Sequence, residues 1–217
     1  MALLVASVSV APARADIIVF DNFGSGDSYN VNAGSTLGAI AGHPDVASRF
    51  SIGAVTGYLS RVDVAISIVQ ASPSTPSPNL NDIDIFVMTD ASGLPGAALE
   101  MFHFVDAMGS FGSLNSPLDA VSTLRPVLEA GQQYWIAAIV PNPSLTLASW
   151  NLNSIGDTGT GATRNNEGNW FVTSNGGGAT NAFRVSVEPV PEPSAIWLFG
   201  VVALTVLRSL FRSRLQG

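Results

Sequence analysis

The 217-residue chain has no cysteine. That excludes disulfides even in an oxidising compartment, along with thiol nucleophiles and thiolate metal sites. Lysine is missing too: all nine basic residues are arginines, so Schiff-base chemistry has no amine to use. Histidine occurs twice, as His43 in a Gly-His-Pro-Asp turn and as His103 in a predicted strand, and neither belongs to an HExxH pattern. Two such lone histidines read as ordinary turn and sheet positions, not as a zinc site. No GxSxG elbow is present, so serine-hydrolase chemistry has no anchor. Positive charge is scarce where it would matter for polyanions. Between Asp16 and Glu188, five arginines stand against fifteen Asp and Glu, a balance of −10. Nucleic acid and anionic lipid are poor partners for that surface, because phosphate contacts need clustered Lys and Arg.

What the central segment does contain is a period of two. Residues 61–69 place Val62, Val64, Ile66 and Ile68 on one face and Arg61, Asp63 and Ser67 on the other. Residues 82–88 set Ile83, Ile85 and Val87 against Asp82, Asp84 and Phe86, and 183–188 alternate Phe183, Val185 and Val187 inward. Residues 133–140, with Trp135, are apolar on both faces, as in a central strand. Further strands are expected at 17–20, 47–52, 98–105, 121–128, 145–150 and 169–173. Gly, Pro, Asn and Ser clusters separate them. Two long loops are expected, 71–81 and 151–181. About 170 residues of short strands form one domain with a real core. They predict an all-β sandwich of jelly-roll type at 16–188.

The two ends differ from this domain. Residues 1–15 carry a short apolar stretch and close on Ala13-Arg14-Ala15, an A-x-A-like cleavage site that makes Asp16 the expected mature N-terminus. At the other end, Pro191 and Pro193 bias the chain away from helix before Ser194, and Pro193 suits a first helical position. From 194 to 211 a single helix without a polar face is predicted, about 27 Å long against a hydrocarbon core of about 30 Å. Arg208, Arg212 and Arg214 lie at its far end. By the positive-inside bias they face the cytoplasm and put the domain outside.

The order Pro191-Glu192-Pro193, apolar transmembrane-length run and Arg-rich end over 189–217 resembles the PEP-CTERM sorting domain of Gram-negative bacteria. The resemblance implies transient residence in the inner membrane, recognition by an exosortase, and cleavage at or beside the Pro-Glu-Pro motif. Several short motifs of the central domain are similar to the choice-of-anchor ectodomains: Asp21-Asn22-Phe23-Gly24, Gly93-Leu94-Pro95-Gly96, Tyr134-Trp135-Ile136 and Phe183-Arg184-Val185. That likeness implies an exported all-β domain and supplies no catalytic residues.

Chemistry within the domain is sparse. Asp157-Thr158-Gly159 resembles the aspartic-protease triplet, but that chemistry needs a second carboxylate copy, and none occurs. Asp82, Asp84 and Asp90, or Asp21 and Asp27 with Asn22 and Asn30, offer oxygen ligands for a structural calcium. Neither group has EF-hand spacing, so solvated edges and turns are the expectation and no cofactor is assigned. Trp150-Asn151 and Trp170 border the long polar loop. A ring face beside amides is the chemistry of sugar binding, which makes these three the candidate carbohydrate residues. The sequence thus predicts a non-enzymatic, exported surface or matrix protein associated with exopolysaccharide or biofilm. A carbohydrate-binding module and a secreted hydrolase with paired carboxylates are the alternatives.

Overall fold

A computed structural model of the chain describes residues 15–70, 76 and 78–190. Ala13, the Pro191-Glu192-Pro193 motif, the expected helix at 194–211 and Arg208, Arg212 and Arg214 lie outside the described residues. Among those described, no helix is long and apolar enough to cross a membrane.

The described chain is all-β. Its first seven strands are β1 (Ile17–Asp21), β2 (Tyr29–Gly38), β3 (Pro44–Ser51), β4 (Gly57–Val64), β5 (Ile66–Ile68), β6 (Asp82–Ala91) and β7 (Leu94–Val105). Then come β8 (Gly109–Ser110), β9 (Leu118–Val121), β10 (Val127–Leu128) and β11 (Gln133–Ile139). The last four are β12 (Leu147–Asn153), β13 (Thr158–Asn165), β14 (Phe171–Ala179) and β15 (Phe183–Pro189). One sheet runs β14-β13-β3-β11-β6-β7. A second runs β1-β15-β4-β10, with β9 also on β4, and a third runs β2-β12-β5-β8. All strand pairs are antiparallel except β5 with β8.

The second and third sheets meet along a seam at Ala65, between β4 and β5. Ala65 N–H donates to Ala182 O, Ala182 N–H to Asn151 O, and Asn151 N–H to Ala65 O, at 2.8–3.1 Å. This composite layer faces the six-stranded sheet across one apolar core, an arrangement consistent with a β-sandwich. Ile83, Ile85, Val87, Ile136 and Phe50 come from one side; Leu59, Val62, Val64, Trp150, Val185 and Val187 come from the other. Phe183 joins them, stacked on Phe20 at 4.5 Å and 5.9 Å from both Phe50 and Trp150. Period two therefore predicts the core-facing residues of β6 and β15 correctly, although Met88 and Ser186 on the other face are buried as well.

Elsewhere the pattern and the fold part company. The expected strand 61–69 is interrupted at Ala65, and on its polar side only Arg61 is exposed, while Asp63 and Ser67 are buried. Most of 121–128 is a turn between β9 and β10. The expected loop 151–181 is instead the hairpin β13–β14, which extends the six-stranded sheet by pairing β13 with β3. β2 escapes prediction because its sequence, YNVNAGSTLG, is poor in β-formers. It pairs with β12 across an irregular register in which Gly34 is required. A Cβ there would sit 2.2 Å from Ser149 Oγ and 2.6 Å from Trp150 O.

The two layers are also clasped by a carboxylate. Glu100 on β7 is buried and accepts from the Thr123 and Leu124 amides at 2.7 and 2.9 Å, and from the Ser122 and Thr123 hydroxyls. Burial alone would raise its pKa, but the four hydrogen bonds together hold it below the usual carboxylate range. Folding therefore favours the ionised form. The stabilisation is present above the unfolded pKa and is lost as pH falls through the folded value. Glu100→Gln is expected to cost about 1–3 kcal/mol at pH 7. Urea melts at falling pH should show a gentler acid decline in the variant; an unchanged decline would refute this assignment.

Candidate functional site

The three residues expected to bind sugar do not form one site. Trp150 on β12 points into the core and is 0% exposed, its indole N–H donating to Ala182 O at 3.0 Å. Asn151 is equally buried; its amide donates to Asn30 O at 3.0 Å and its carbonyl accepts from Ser67 Oγ at 2.9 Å. Neither can meet a ligand from solvent, which corrects the expectation for both. Their polar context comes from the seam, where strands diverge and side-chain amides supply the missing hydrogen bonds. Trp170 lies on the opposite surface, beside β14. It is half-buried against a small cluster of Ala47, Met88, Trp135, Ala137 and Ala162 on the outer face of the six-stranded sheet. The Arg164 guanidinium lies 5.0 Å from its ring centroid.

The amide network continues along the seam. Asn22, 1% exposed, accepts from Phe183 N–H at 2.8 Å and donates to Thr180 Oγ1 and Asn181 O at 2.9 Å. Asn181 bridges Trp150 O at 2.7 Å, Ser35 and Ser48. Asp157, the acid of the Asp-Thr-Gly triplet, accepts from Thr180 Oγ1 at 3.0 Å and belongs to this network.

The carboxylates considered for calcium are engaged elsewhere. Asp82 accepts from Asn142 and Thr146, Asp84 lies 2.6 Å from His103 Nδ1, and Asp90 accepts from Trp135 Nε1 at 2.8 Å. Asp21 and Asp27 both hold Arg184. Among the described residues no group of three or more His, Asp or Glu is arranged to hold a metal.

The polar concavity with the most chemistry is one the sequence did not reveal. A cavity of about 450 Å³ opens at the end of the six-stranded sheet, lined by His43, Asp45, Arg164, Asn166 and Glu167 against Ile139, Val140, Pro141 and Pro143. The β3–β13 register sets Asp45 opposite Arg164, and Arg164 Nε donates to Asp45 Oδ2 at 2.8 Å. Asp45 Oδ1 accepts from Val140 N–H at 3.4 Å. Burial pushes the Asp45 carboxyl above its ordinary range; Arg164 and the Val140 amide oppose the rise, and the charge of Glu167 adds to it. His43 Nδ1 lies 2.9 Å from Pro143 O. A carbonyl only accepts, so Nδ1 carries a proton, and whenever the ring is neutral Nε2 is an acceptor. The cavity thus presents donors and acceptors side by side over an apolar wall. No pattern in the sequence joins 43–45 to 164–167; a strand reading of 158–165 would have supplied the link. No family model matches the chain, and no curated protein matches it.

Proposed function

We propose that this is an exported, non-enzymatic surface or matrix protein, delivered through its C-terminal tail. In this reading an exosortase recognises Pro191-Glu192-Pro193, with residues 194–211 spanning the inner membrane until processing. The domain at 16–188, a jelly-roll-type sandwich, then acts at the cell surface or among exopolysaccharide.

One observation carries the reading: the last described strand ends immediately before the motif. β15 is an interior strand, paired with β1 on one side and β4 on the other, and its Phe183, Val185 and Val187 are fully buried. Its pairing with β4 ends at Pro189, and Val190 N–H makes a last bond to Thr56 O at 3.0 Å. Cleavage at Pro-Glu-Pro would leave β15 and its pairings with β1 and β4 intact. Cleavage after Ala15 likewise spares β1, which begins at Ile17.

Intact-mass analysis in the native host, with and without its exosortase, tests this directly. The expected result is loss of the N-terminal end near Ala15 in both hosts, and loss of the C-terminal end near Pro191 only where the enzyme is present. The processed domain should melt within about 2 °C of the full chain, because the pairings of β1, β15 and β4 survive both cleavages. An uncleaved C-terminus in both hosts would make the tail a permanent anchor and end the exosortase assignment.

A further inference from the structure

We infer that the cavity beside the Asp45–Arg164 pair is a binding site for a neutral sugar unit of a polysaccharide chain, with Glu167 as its specificity residue. The inference rests on the matrix reading only for the source of the ligand. The geometry stands on its own.

Two turns build the cavity mouth. In the hairpin turn Asn165–Gly168, Gly168 N–H donates to Asn165 O at 2.9 Å, and both central residues are left-handed, Asn166 at φ 50° and Glu167 at φ 58°. Positive φ at both central positions is the geometry of a primed turn, in which glycine is the favoured residue at the second position. Asparagine tolerates the conformation; glutamate does so at a steric cost. The facing turn repeats the feature, with His43 at φ 41°, and Asn166 N–H donates to Gly42 O at 2.9 Å. Three side-chain-bearing residues are thus held in a glycine-type conformation around one cavity. A turn that served only to reverse the chain would be more stable with glycine at 167. The glutamate contributes a carboxylate at the mouth instead.

The lining selects the ligand class. Arg164 gives only its Nε–H to Asp45, and among the described residues its Nη nitrogens make no hydrogen bond. They and the Asn166 amide are the donors; the Glu167 carboxylate and His43 Nε2 are the acceptors. Pro141, Pro143 and Ile139 provide a surface for the C–H face of a ring. Asp45 and Arg164 neutralise each other, and Glu167 leaves one net negative charge that opposes an anionic ligand. A hydroxyl-rich neutral ring satisfies both kinds of partner. The volume of about 450 Å³ falls within the range of small-molecule sites. Trp170 stacks on Arg164 and fixes its guanidinium at the cavity edge.

The test is native affinity electrophoresis of the full chain in a non-glycosidic detergent. The gels contain dextran, mannan, galactan or hydroxyethyl cellulose, with alginate as the anionic comparison. Retardation by at least one neutral polymer is expected, with free monosaccharide competing only weakly. Glu167→Gly should weaken it at least tenfold while the melting temperature stays at or above that of the unaltered chain, and Glu167→Gln should keep part of the affinity. Binding equal to the unaltered chain in Glu167→Gly, retardation by alginate alone, or no retardation in any neutral polymer would overturn the site. Tail processing is measured on the unaltered chain in its native host, where a processing failure with sugar binding intact would sink the sorting proposal alone.

Discussion

Trp150→Ala should destabilise the domain by about 3–5 kcal/mol, the range for truncating a buried large aromatic. The side chain is fully buried at the meeting point of the seam and the core, in edge contact with Phe183 at 5.9 Å. Truncation leaves a void and also strips a donor from Ala182 O, the carbonyl that also receives Ala65 N–H in the seam. Against a typical total stability of about 5–15 kcal/mol, that is a large share. For a domain of this size the melting temperature should fall by about 10 °C. Trp150→Phe keeps most of the volume and loses the indole N–H, so a smaller loss of about 1–2 kcal/mol is expected. Thermal melts of the two variants decide the matter. A Trp150→Ala protein that melts like the unaltered chain but loses retention on a polysaccharide column would show that the residue works at the surface after all.

The misreading of Trp150 shows what period and composition can and cannot report. Alternation is legible where one face is apolar and the other polar, as in Ile83, Ile85 and Val87, all fully buried. It fails where the polar residues are buried as well. Ser149, Asn151 and Asn153 flank Trp150 and resemble loop sequence, yet all three are inside, because the parting of two sheets leaves backbone groups that only side chains can satisfy. β13 was hidden for a different reason. Its TGTGATRN sequence has weak strand preference, and its place is set by pairing with β3 on one side and β14 on the other. The cavity inherits that blindness. Asp45 and Arg164 are 119 positions apart, and only the β3–β13 register brings them together. The proposed sorting motif is the opposite case: a linear pattern, legible without any fold.

Arg184→Met is expected to cost about 2–4 kcal/mol, less than the full penalty for breaking a buried pair because the guanidinium is 19% exposed. Arg184 on β15 reaches Asp21 Oδ2 on β1 at 2.9 Å, Asp27 Oδ1 in the following turn, and Asp63 Oδ2 on β4 at 3.5 Å. It also lies 5.4 Å from the Phe23 ring centroid. One side chain therefore joins both neighbours of the last strand to the turn after β1. Methionine keeps the stem and removes the charge, leaving Asp63, whose side chain is 4% exposed, with Arg61 alone.

The pH dependence of that deficit has a definite sign. Burial raises the Asp63 pKa, and Arg61 and Arg184 oppose the rise. Without Arg184 the folded value climbs further, so the folded state binds the proton more tightly than the unfolded chain. Stability then falls as pH rises between the two values. The deficit of Arg184→Met should be largest near pH 7 and shrink as pH falls through the folded pKa of Asp63. The acid sensitivity from Glu100 is common to both proteins and cancels in the difference. Urea titrations of both proteins at neutral and mildly acidic pH give that difference. A deficit that stays constant or grows on acidification would show that the loss comes from packing around Phe23 and not from the uncompensated carboxylate. Asp63→Asn added to Arg184→Met should recover part of the neutral-pH loss, since the amide can stay buried without a charge to neutralise.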